Sequence, residues 1–149
     1  MNLVRKLLLA LALISSPSVF ADDPVNSSLF GNIAIDGYDS VAYWTESKAI
    51  EGEKKYTFEW QGAKWRFANQ ENLTLFKDNP EKYAPEYGGY CAWAMSDDRL
   101  AGIDGEAWTI YDGKLYLNYN MRVMDEWRQD KALFVEQADT FYQNRFGSQ

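Results

Sequence analysis

Cys91 and Met95 stand four residues apart in Tyr90-Cys91-Ala92-Trp93-Ala94-Met95. On a helix that spacing carries both sulfurs on one face. A thiolate beside a thioether is a soft donor pair of the kind that suits Cu(I). Met121 and Met124, three apart, would supply further soft donors if the fold brings them near. The plainer reading is a small buried thiol and an adaptable methionine packed beneath aromatic rings. A third is an exposed thiol that pairs two chains into a homodimer or exchanges with a redox partner, since Cys91 is the only cysteine.

The other chemistry is narrowed by what the chain lacks. It has no histidine, which removes Ser-His-Asp and Cys-His catalysis, His-ligated haem and His-based zinc or blue-copper sites. Acidic pairs at Asp97-Asp98, Asp104 with Glu106, and Asp125-Glu126 form no calcium-loop pattern, and they read as solvated surface. Gly88-Gly89 lacks the sequel of a phosphate loop and reads as a turn. No catalytic constellation emerges, so the expectation is a binding module and not an enzyme. Aromatic residues make up 16% of the chain, and Tyr38, Trp44, Tyr90, Trp93 and Trp108 are candidates to line a pocket for a small apolar ligand. Most aromatic rings in a domain of this size must be core.

These residues need a scaffold, and composition bounds it. Arg5 and Lys6, the apolar run Leu7 to Ile14, and Val19-Phe20-Ala21 resemble a secretory leader over residues 1–21. The run is shorter than the about 20 apolar residues that a membrane span requires. The expected product is periplasmic or secreted, with no membrane insertion once the leader is removed. Removal leaves 149 − 21 = 128 residues and moves the formal charge from −7 to about −9, because two cations leave. So acidic a chain argues in general against nucleic acid or anionic lipid as partners.

Residues 22–28 read as a flexible lead-in and 29–146 as a single domain. Tyr56-Thr57-Phe58-Glu59-Trp60 and Ala63-Lys64-Trp65-Arg66-Phe67 alternate across Gln61-Gly62, and Ala107 to Tyr111 meets Lys114 to Tyr119 across Asp112-Gly113. Both patterns predict β-hairpins. Asn69 is placed to cap a short helix over Gln70 to Lys77. Val123, Trp127, Phe134, Ala138 and Phe141 trace one face of an amphipathic C-terminal helix. No internal repeat is evident. The expected fold is α+β: two β-hairpins forming a small antiparallel sheet, packed with the short helix and the C-terminal amphipathic helix.

Trp65-Arg66-Phe67-Ala68-Asn69, Phe76 and Asn79-Pro80-Glu81-Lys82-Tyr83, with Gly37-Tyr38-Asp39-Ser40-Val41-Ala42 ahead of them, resemble the YHS domain family. Tyr87-Gly88-Gly89-Tyr90-Cys91 and the later hairpin resemble an exported subgroup of it. The resemblance implies metal handling through cysteines. At the positions where the family carries them, this chain has Ala42, Ala68 and Asn72. The resemblance therefore implies the fold more directly than the metal site.

Overall fold

The computed structural model describes residues 22–147, so the leader expected over 1–21 lies outside the described residues. Alternating aromatic and polar residues form β1 (Glu53–Trp60) and β2 (Ala63–Phe67), an antiparallel hairpin. Gln61 and Gly62 both have positive φ, 47° and 74°. That geometry matches the right-handed twist of the flanking strands, which is why glycine follows a residue that tolerates it. Asn69 then accepts from the Asn72 N–H and starts a helix at Gln70–Asp78. Asn79 does the same for Lys82 at the start of Pro80–Tyr83.

A second hairpin follows, β3 (Asp104–Tyr111) and β4 (Lys114–Asn118), with Asp112 and Gly113 again at positive φ. Asn120 caps Met121–Arg128 through the Val123 N–H, and Asp130 caps Lys131–Phe146 through the Leu133 N–H. The helices, with one-turn helices at Ala42–Thr45 and Ala92–Met95 included, are numbered α1 (Ala42–Thr45), α2 (Gln70–Asp78), α3 (Pro80–Tyr83), α4 (Ala92–Met95), α5 (Met121–Arg128) and α6 (Lys131–Phe146). The mixed α+β class is as expected, and each hairpin is its own two-stranded sheet. The C-terminal helical face is split between α5 and α6, because Asp130 begins a new helix. Ile35–Gly37 form a 3-10 turn, Tyr38 bridges to Glu51, and α1 follows.

The two halves are copies of one plan, which the residue identities conceal. Glu53 to Asp104, Ala63 to Lys114, Gln70 to Met121 and Pro80 to Lys131 are each separated by the same interval, 104 − 53 = 51 residues. Both hairpins break register at the same place, between Glu53 and Thr57 and between Asp104 and Trp108. Both carry the same aromatic trio. Trp60, Trp65 and Phe76 pack with the last pair 5.2 Å apart; Tyr111, Tyr116 and Trp127 do so with the last pair 5.1 Å apart.

Two cores result, and β4 divides them. Leu115 and Leu117 join the first core with Trp65, Phe67 and Phe76, while Tyr116 points into the second with Met95, Trp127 and Ala138. Side chains alternate along a strand, so β4 serves both cores. Residues 22–28, expected as a flexible lead-in, are docked: Val25 is buried, and the Asn26 N–H donates to the Gly88 carbonyl at 2.9 Å. A Cβ on Gly88 would collide with the Pro24 carbonyl, so this approach needs glycine.

Candidate functional site

The structure distributes the candidate residues over three places. Cys91 lies just before α4, fully buried against Ala94 and Val123. Its sulfur is 3.7 Å from Asn118 Oδ1, to which the thiol donates, and burial pushes the thiol pKa up. Met95, also fully buried, belongs to the core of Tyr116 and Trp127. The helical spacing is therefore real, since the Met95 N–H donates to the Cys91 carbonyl at 3.0 Å. The two residues nevertheless pack in different clusters.

Met121 and Met124 project from α5 into a groove shared with Trp108, Ile110 and Arg128. The groove is open and has a volume of about 510 Å³, within the range typical of small-ligand sites. Met121 is 48% exposed while Met124 is buried, so the first is at the mouth and the second at the wall. Arg128 is fixed there: Nε donates to Thr109 Oγ1 at 2.9 Å and Nη2 to the Trp108 carbonyl at 3.0 Å. Ile110 and Arg128 were not singled out from sequence. Their signal is weak, an exposed apolar residue on a strand and a helix-terminal cation.

The aromatic candidates do not form one platform. Tyr38, Trp44 and Trp108 pack on the first core, whereas Tyr90 and Trp93 pack on the second. Trp108 lies 5.3 Å from the Tyr43 ring, and the Tyr90 hydroxyl donates to the Asp23 carbonyl at 2.9 Å.

The most completely bonded polar group in the first half is Asp39, which is fully buried. Its Oδ1 accepts from the Val41 and Ala42 N–H groups at 2.8 and 3.2 Å, fixing the start of α1. Its Oδ2 accepts from the Ala68 N–H at 2.8 Å and the Asn72 side-chain amide at 2.7 Å. One carboxylate thereby ties α1 to the end of β2 and to α2. Such an anion is tolerated in a core because every lone-pair direction meets a donor.

Residues 41–87 match the YHS domain family. The family assignment holds for that stretch. No curated protein and no solved structure gives a significant match. The YHS match lies on the first half and stops short of α4, and metal binding is the role associated with the family. The positions at which the resemblance places cysteines, Ala42, Ala68 and Asn72, all converge on Asp39. The donor set that the resemblance implies is thus replaced. Two alanines offer no ligand, the Asn72 amide is turned to Asp39 as a donor, and both Asp39 oxygens are occupied by N–H groups. These residues do not fit a metal. Among the described residues, no three His, Cys, Asp or Glu side chains cluster as a metal site would require.

Proposed function

We propose that this chain is an exported, non-catalytic YHS-type binding module that takes a small apolar ligand in the groove between α5 and β3. The supporting observation is that Trp108, Met121 and Met124 line one open groove of about 510 Å³ with Ile110. Aromatic and thioether walls adapt to apolar ligands, and Arg128 and Glu106 add one charged group of each sign to the lining. The case for export rests on the leader-like residues 1–21, and the case against catalysis on the missing histidine.

A second reading keeps soft-metal handling, because Met121 and Met124 bring two thioethers to the same groove. Copper(I) at Cys91 with Met95 is less favoured, since a thiolate would have to form inside an apolar pocket that raises its pKa. A thiol-linked homodimer or redox exchange at Cys91 is disfavoured for the same burial.

The test is titration with anilinonaphthalenesulfonate, an apolar probe with one anionic group, followed by energy transfer from tryptophan. Saturable binding is expected, weakened at least roughly tenfold by Met121→Lys or Ile110→Ser, both exposed positions where folding is retained. Unchanged binding in both variants would sink the groove assignment. A parallel anaerobic Cu(I) competition separates the metal readings. Uptake lost in Met121→Leu/Met124→Leu and kept in Cys91→Ser supports the thioether pair, and the reverse supports Cys91.

A further inference from the structure

In the second hairpin, Trp108 pairs with Leu117 and Ile110 with Leu115, and Leu115 and Leu117 are buried in the first core. The corresponding face of the first hairpin pairs Thr57 with Arg66 and Glu59 with Lys64. In the second half the β4 side of this face is thus apolar and buried, and in the first half it is polar and half-exposed. Thr57, Lys64 and Arg66, with Lys54 from the irregular start of β1, line an open pocket of about 400 Å³ whose remaining wall is Gly31 and Ile33.

Three cations around one pocket are unexpected in a chain with 22 acidic and 15 basic residues. Among the described residues, no carboxylate lies within 4 Å of the charged nitrogens of Lys54, Lys64 or Arg66, although Glu59 faces Lys64 across the hairpin. The Arg66 Nε is enclosed and has no hydrogen-bond partner in the protein. Charge of this kind is complementary to an anion brought from outside.

The neighbouring loop adds an independent observation. Leu29 and Phe30 are 92% and 87% exposed, and Gly31 follows them directly into the pocket wall. The loop that presents them is braced. The Ser28 hydroxyl donates to the Phe30 carbonyl at 2.8 Å and accepts from the Ile33 N–H at 3.0 Å, and the Ser28 N–H donates to the Ile33 carbonyl at 2.8 Å. Two large apolar side chains are therefore held in water, where each forgoes about 1.5–3 kcal/mol of burial.

We propose that this edge is a peripheral contact for an anionic phospholipid surface: Leu29 and Phe30 enter the interface while Lys54, Lys64 and Arg66 take the headgroup phosphate. The acidity that argues against such a surface for the whole chain is not found in the lining of this pocket, beside which Glu59 stands opposite Lys64, and charges beyond about 10 Å are screened at moderate salt. Apolar anchors beside basic residues are the combination that interfacial binding requires.

The experiment is co-sedimentation of the protein with vesicles of mixed phosphatidylglycerol and phosphatidylcholine, against phosphatidylcholine alone, at low and high salt. Binding is expected only to the anionic vesicles, and weaker at high salt. Lys54→Gln/Lys64→Gln should weaken it about fivefold per cation removed, and Leu29→Ser/Phe30→Ser should abolish it, with thermal unfolding of both variants unchanged. No binding to anionic vesicles, or binding that neither double variant weakens, overturns the proposal. Inorganic phosphate is the control: if it perturbs the Lys64 and Arg66 amides in NMR spectra while vesicles are not bound, the pocket serves a soluble oxyanion and the membrane assignment fails.

Discussion

In the first half of the molecule the start of α1 is held by a carboxylate; in the second half the start of α4 is held by a carboxamide that arrives from β4. Asp39 gathers four N–H donors from three elements. Asn118 Oδ1 accepts from the Trp93 N–H at 3.2 Å and from the Cys91 thiol, while its own Nδ2 is buried without a partner. The same architectural joint is thus built once from a fully satisfied charge and once from a neutral, incompletely satisfied group. Satisfied charge is strong and intolerant, because each donor it holds is orphaned when it goes. The neutral version is weaker and can be altered at smaller cost.

That contrast sets the order of the expected effects. Asp39→Ala orphans the Val41 and Ala68 N–H groups and the Asn72 amide, while the Ala42 N–H keeps its bond to the residue 39 carbonyl, and should cost roughly 4 kcal/mol in urea unfolding. Equal losses for Asp39→Ala and Asn118→Ala would erase the distinction between the two joints. Asn69→Ala and Asn120→Ala remove equivalent caps and should each cost about 1 kcal/mol. Unequal losses there would mean that the halves differ in more than their joints.

The smallest effect is in alkali. Burial raises the Cys91 thiol above its ordinary value of 9.0, and burial likewise raises the Tyr43, Tyr87 and Tyr116 hydroxyls above their ordinary 10.0. The folded state therefore keeps protons that the unfolded chain releases, so stability is full below about pH 9 and falls as pH rises. Urea midpoints from pH 7 upward should show this decline, and Cys91→Ala should move its onset toward pH 10, where only the tyrosines contribute. A profile unchanged by the substitution would place the thiol's ionisation outside the folding equilibrium.

The hairpins were legible because Gly62 and Gly113 sit between alternating runs, and α2 because Asn69 precedes it. The division of the C-terminal helix was not, since apolar spacing continues across Asp130 and hides the cap. The repeat escaped for a different reason. Trp60, Trp65 and Phe76 become Tyr111, Tyr116 and Trp127, so ring packing is retained while letters change. Of the site, residue types were legible and grouping was not. Cys91 and Met95 suggested a pair by spacing alone, yet α4 is a single turn whose neighbours send them into separate clusters. Trp108 and Met124 meet only because α5 folds back on β3. Asp39 left one overlooked sign: an ionised residue at the head of an otherwise buried segment.

Because β4 buries Leu115 and Leu117 on one side and Tyr116 on the other, neither core can open without exposing part of its neighbour. The structural repeat therefore does not behave as two beads on a string. A wall common to both compartments makes their unfolding a single event, and the amide protons of Leu115 to Leu117 should be among the last to exchange with solvent, at the rate set by global opening.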